Sequence, residues 1–391
     1  MPVRGEAQLR ELAPTHASWP EALRGASGAS WSDAHTHMGH ADPDGVEADP
    51  EEVVADLDRA GHARALIFPM HEPAGYPRAN DAVRDAVAGA GGRLSWLCRV
   101  DPNAPGAVAE ARRCLDEAAA GIKLHPRSDA FGLPHPVVDE LVALAAARRA
   151  PVLFHAGRGI PALGPDAVRL AREHPDVRII LAHAGISDLG GLAAVASELP
   201  NLLFDTSWWN GPDLLALVTS IPPGQVLHAS DSPYNPCASA AFNLRRVVAE
   251  AGLGPDALRS IAGAQLERVI AHDDLLDLGP AVGTGGLGPR VPALERVASH
   301  AATACMLAVR GGGVEGAMES LSLARSGCLH GPDDPHGELL DRLDELLALA
   351  VDHRRAAGDA AHALLPALVT AHVTAATPSA GVPVAPGRVR M

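Results

Sequence analysis

Eight short apolar runs alternating with Ala-rich helical stretches predict an α/β fold, a (β/α)₈ TIM barrel followed by a small all-α helical domain. Two further observations support that reading. Polar groups able to do chemistry recur at the ends of the runs, and a Gly/Pro stretch separates the repeats from a set of amphipathic segments. In order, the expected strands are WSDAHTH (31–37), ARALIFPM (63–70), RLSWLCRVD (93–101), GIKLH (121–125), PVLFHAG (151–157), VRIILAHAG (177–185), NLLFDTS (201–207) and QVLHASDSP (225–233). Between them, segments such as DPEEVVADLDRAG and AVAEARRCLDEAAA have the spacing of helices that cover the outside of a sheet.

These units place a barrel over 30–278, after an N-terminal segment, 1–29. Residues 279–293 read as a Gly/Pro linker, lacking apolar periodicity and helix formers. Four amphipathic stretches then predict a helical bundle domain over 294–375, and 376–391 reads as a flexible tail. The apolar stripe of LLDRLDELLALAV suits a bundle core or a dimer surface, so this domain is where a homo-oligomer or a protein partner would attach.

Composition narrows the class. Apolar residues make up 47% of the 391 but aromatics only 3%, so the core must be mostly Ala, Val, Leu and Ile. A formal charge of −15 argues against nucleic acid and against anionic membrane surfaces, leaving a small molecule as the expected ligand. Five dispersed cysteines without a CxxC pair argue against a disulfide framework. With no apolar run of membrane-spanning length and no apolar leader, the expectation is a soluble cytoplasmic protein.

Lys123, in GIKLHP, is the only lysine in the chain. In an Arg-rich sequence its survival suggests chemistry that guanidinium cannot perform, because only an amine can lose its proton and act as base or nucleophile. The other strand ends carry His35 and His37, His125, His155, His183 and Asp231. His35 and His37 are two apart on a strand and so project to the same side, as a pair of metal ligands must. Imidazoles and a carboxylate are the ligand set of a divalent ion, with Zn²⁺ the first expectation and Mn²⁺ the second. In the helical segment, Cys328 and His330 lack a second close pair and make no structural zinc pattern.

In that order, DAHTH, GIKLHP, VLFHAG, ILAHAG and ASDSPY resemble the amidohydrolase superfamily, in particular the amidohydrolase-2 branch that includes aminocarboxymuconate-semialdehyde decarboxylase. The likeness covers roughly residues 30–275. It implies that His35, His37, His155 and Asp231 hold the first metal, and that Asp231 exchanges a proton with metal-bound water. His183 would be a second-metal ligand or, in a one-metal site, the acid/base residue. Lys123 would be a carbamate bridging two ions, or an ammonium that orients a carboxylate; both stay open, as does the choice of one or two ions.

For substrate, Arg99, Arg127 and Arg158 could grip a carboxylate in bidentate fashion. His125, His71 and Trp208 could line the pocket, Trp208 or its neighbour Trp209 by stacking on a planar molecule. The functional expectation is therefore a metal-dependent hydrolase, using metal-activated water to cleave a C–N or C–O bond (amide, lactone or ester) of a small carboxylated substrate. A non-oxidative decarboxylase on the same metal site is the alternative. From another class, a scaffold or binding protein with a vestigial barrel remains.

Overall fold

A computed structural model describes residues 29–43, 45–309, 314–357 and 364–383. The N-terminal segment expected over 1–29 thus lies almost wholly outside the described residues. Eight parallel strands form one sheet in sequential order: β1 (Ser32–Met38), β2 (Arg64–Pro69), β3 (Leu94–Arg99), β4 (Gly121–Leu124), β5 (Pro151–Phe154), β6 (Arg178–Leu181), β7 (Leu202–Asp205) and β8 (Val226–Leu227). Helices lie between them, beginning with α1 (Pro50–Ala60) and α2 (Pro77–Gly89).

The last strand is much shorter than the 225–233 expected. Beyond Leu227 the chain leaves the ladder, and His228 N–H donates to Ile261 O (2.8 Å). Asp231 takes a left-handed φ of 71° that no strand can hold. The same segment draws the sheet toward closure: Ala34 N–H donates to His228 O (2.9 Å), Asp231 N–H to His35 O (2.9 Å) and His37 N–H to Ser232 O (2.8 Å).

Alternation along each strand sorts the core into two layers. Ile67, Cys98, Ile122, Val152, Ile179 and Phe204 pack outward against the helices. Leu66, Phe68, Leu97, Leu153, Ile180, Leu203 and Leu227 fill the barrel, which Leu266 and Val269 also help to plug. Two residues beyond an interior leucine, the same parity delivers Arg99, His155 and Asp205, and Lys123 stands between outward Ile122 and Leu124. In β1 the pairing shifts by one residue between Asp33 and Thr36. Ala34 packs inside, and His35 and His37 also reach the interior, against the Phe68 ring (centroids 4.9 and 4.6 Å).

Residues 271–291 contain no helix or strand. Four further helices follow: Pro292–Val309, Val314–Gly327, Gly337–Ala357 and Leu365–Ala376, sharing an apolar cluster of their own. They are fastened to the barrel side by polar contacts. Gly211 N–H donates to His372 Nε2 (3.1 Å), and buried Arg246 donates to the carbonyls of Thr377 (2.6 Å) and Gly381 (3.0 Å). The tail expected to be flexible from 376 is therefore held as far as Gly381, because a buried guanidinium needs those acceptors; residues 384–391 lie outside the described ones. Among the described residues, no helix is long and apolar enough to cross a membrane.

Candidate metal centre

The polar layer above Phe68 is wired by Asp205. Its Oδ2 accepts from His35 Nδ1 (2.8 Å), and its Oδ1 accepts from the backbone N–H of His183 and of Ser207 (3.0 Å each). With the His35 proton held on Nδ1, the Nε2 lone pair faces His37 Nε2 (3.1 Å) and Asp231 Oδ1 (3.2 Å), and His37 Nε2 lies 3.0 Å from the same oxygen. Two imidazole nitrogens and a carboxylate oxygen thus converge within 3.2 Å.

His183 closes a second chain of bonds. Its Nδ1 donates to Ser207 O (2.7 Å), and its Nε2 lies 2.9 Å from His155 Nδ1. His155 donating there leaves its own Nε2, buried and without a protein partner, as a free lone pair. His183, Ala184 and Asp231 all have positive φ, backbone strain that clusters where side chains must be aimed. Gly157 keeps the space between the rings: a Cβ there would lie 2.8 Å from His183 Cδ2 and 3.1 Å from His155 Cε1.

Electrostatics favour lone pairs. Burial, reinforced by Lys123 and neighbouring imidazoles, holds His35, His37 and His155 well below the usual histidine range, and burial lowers His183 against the pull of Asp205. Asp231 is pushed well above the carboxylate range by burial, with Lys123 opposing. Lys123 is fully buried, and its Nζ has no protein hydrogen-bond partner and lies 4.7 Å from the Phe68 centroid. Burial, opposed by Asp205, pushes it down to about 7.

These groups line a cavity of about 470 Å³, together with all the other residues singled out for substrate. Arg99 is not free. It pairs with buried Asp129 (3.3 Å), which also accepts from Tyr76 Oη (2.5 Å) and lies 3.8 Å from His71 Nδ1. His125 stacks on His155 (centroids 4.0 Å) and accepts from Ser128 N–H through Nδ1. Arg158 covers the Trp208 ring at 5.3 Å and reaches Met306 Sδ (3.2 Å), while Trp208 Nε1 donates to Asp213 (2.6 Å). Arg127 is exposed at the rim, and Trp209 lies against His372 (centroids 5.7 Å).

A family model for amidohydrolases, Amidohydro_2, matches residues 16–268. The chain belongs to that amidohydrolase family. Its members are enzymes that generally use a divalent metal. No curated protein matches the sequence. Solved structures similar to it include an amidohydrolase II (19% identity, TM-score 0.51, 62% of this chain and 100% of that one). A 2,6-dihydroxybenzoate decarboxylase complexed with 2,6-dihydroxybenzoate aligns at 15% identity and TM-score 0.51, over 62% of this chain and 99% of that one. An uncharacterised TIM-barrel protein from Bordetella bronchiseptica aligns at 17% identity and TM-score 0.51, over the same shares. At these identities the likeness establishes the barrel.

The donor set of this amidohydrolase fits a divalent cation. Donor atoms 3.0–3.2 Å apart are close to the spacing of about 3.4 Å that bonds of about 2.1 Å at tetrahedral angles produce. His35, His183 and Asp231 also place donor atoms within 4.8 Å of one another, and His155 is hydrogen-bonded to His183. Sequence reasoning missed Asp205, Ser207 and Asp129. Asp205 was findable, since it follows Leu203 by the same step of two that takes Leu153 to His155 and Leu97 to Arg99. Asp129 was not, since it lies on a loop after β4 and meets Arg99 only in space.

Proposed function

We propose that this amidohydrolase is a metal-dependent hydrolase that cleaves a C–N or C–O bond (amide, lactone or ester) of a small carboxylated substrate. The observation that carries the reading is the convergence of His35, His37 and Asp231 in a cavity that also exposes guanidinium groups. A zinc-type ion held by His35, His37, His155 and Asp231 would supply a Lewis acid and an acidified water.

The protein's own groups then have separable tasks. Asp231, whose Oδ1 lies 3.0–3.2 Å from the Nε2 atoms of His37 and His35, takes up a proton and returns it to the leaving group. His183 is fixed by Ser207 and Asp205 and, accepting through Nε2 from His155 Nδ1, orients the His155 ring so that its Nε2 lone pair stays free. Arg127 and Arg158 at the mouth hold the substrate carboxylate. Arg99 contributes through a guanidinium already oriented by Asp129. Lys123, buried and with no hydrogen-bond partner for Nζ, offers the amine that carboxylation by CO₂ requires, and a carbamate there would go with a second ion.

One observation favours a second reading. The cavity has flat walls, the stacked His125–His155 pair and Trp208, that suit a carboxylated ring, and non-oxidative decarboxylation is the alternative fate of such a substrate. The experiment is turnover in ¹⁸O-labelled water with carboxylated lactones, amides and esters beside hydroxylated aromatic acids. Label in the product without CO₂ is the expected result. CO₂ release without label would replace hydrolysis by decarboxylation, and turnover unchanged in a folded His155→Ala variant would remove the metal mechanism.

A further inference from the structure

A second set of metal-type donors lies outside the barrel interior. Asp33 precedes inward Ala34, and His228 stands between inward Leu227 and Ala229, so both side chains point away from the catalytic cavity toward the helical layer. There they meet His62, from the turn before β2. Asp33 and His228 are 0% exposed and His62 3%.

We propose that Asp33, His62 and His228 form a second, structural cation site for one zinc-type divalent ion. The Asp33 carboxylate is already oriented: Oδ1 accepts from the backbone N–H of His35 and of Ser230 (3.0 Å each), which leaves Oδ2 without a hydrogen-bond partner. Neither ring nitrogen of His62 or of His228 has a protein partner either. Buried polar atoms without partners are costly in a folded chain unless something binds them, and one ion would take one donor from each of the three residues.

The spacing and the donor types are compatible with a single ion. Donor atoms from the three residues lie within 4.8 Å of one another, and Asp33 Oδ2 is 3.9 Å from His62 Nδ1. That gap is too long for a hydrogen bond. Two bonds of about 2.1 Å to one ion span 3.9 Å at an open angle, and two imidazoles with one carboxylate are an ordinary zinc donor set. Trp31 supports the rings, lying parallel to His62 (centroids 5.8 Å, 6°) and edge-on to His228 (5.0 Å, 87°).

The site has a purpose in the fold. β1 is joined to the segment after β8 by backbone bonds from Ala34, His37 and Asp231, and this cluster lies at that junction. An ion there would tie β1 to the segment after β8. Through Asp33 Oδ1 it would hold the backbone of His35 and of Ser230, the neighbour of Asp231.

The test is anomalous scattering at the zinc edge from crystals of the full chain grown with Zn²⁺. A peak enclosed by Asp33, His62 and His228, distinct from any peak in the catalytic cavity, is expected. In solution, a variant lacking two cavity ligands (His155→Ala with Asp231→Ala) should still retain one zinc per chain, and adding His62→Leu should weaken that retention by at least about ten-fold. No anomalous peak among the three residues would overturn the proposal, whether or not the cavity is loaded, and would leave an edge-to-face aromatic cluster. Since the crystal measurement uses the unaltered chain, a variant that fails to fold does not affect it.

Discussion

Asp205 reaches across the barrel from β7 to β1, its Oδ2 2.8 Å from His35 Nδ1, with both residues buried. That contact decides which nitrogen of His35 carries the proton, and so which one faces Asp231. Asp205→Asn should keep the fold, since the amide oxygen can still accept from His183 and Ser207. Zinc affinity should fall about 10–100-fold. Competition with a chromophoric chelator, alongside circular dichroism, measures both; unchanged affinity would show that Asp205 does not position His35.

Lys123 offers an opposite pattern. Lys123→Met removes a buried amine that has no hydrogen-bond partner, so stability should hold level or rise by about 1 kcal/mol while turnover falls by about 100-fold or more. Lys123→Arg should lose both, since extra volume in a filled barrel costs about 1–3 kcal/mol. Thermal unfolding and initial rates on the two variants separate chemistry from packing. A methionine variant with full activity would deny the lysine any role.

Gly157 is the steric partner of the two inner histidines. A Cβ there would stand 2.8 Å from His183 Cδ2, so Gly157→Ala must displace a ring. A shift near 1 Å costs about 100-fold in rate, with stability changing far less. The signature is a fall in kcat larger than the change in KM, read from steady-state kinetics.

Acid should loosen the helices from the barrel at His372. Its Nδ1 donates to Ala298 O (2.9 Å) and its Nε2 accepts from Gly211 N–H (3.1 Å), an arrangement only the neutral ring can make. Burial lowers its affinity for protons in the folded state. Its contribution is therefore complete above the unfolded pKa of about 6.5 and is lost as pH falls through that value. Between about pH 8 and pH 5, the melting temperature of the wild type should fall more steeply than that of His372→Gln. His372→Ala should cost about 1–3 kcal/mol at neutral pH by leaving Gly211 N–H unpaired.

Read by itself, the sequence determined the eight-fold alternation of strand and helix, the four helices after it, and the polar groups at the strand ends. Period-two alternation and helical periodicity are local properties, visible over a few residues, and Lys123 stood out because it is unique. Tertiary structure alone decided the rest. It brought Asp205 onto His35 from 170 residues away and locked Arg99 onto Asp129. It ended β8 after two residues so that Asp231 could turn inward, and it gathered Asp33, His62 and His228 from three separate segments. Such partners are set by how strands and their loops pack side by side and across the barrel. Each pair comes from separate strand-helix units and meets only when those units pack, so no short window of sequence carries the pairing.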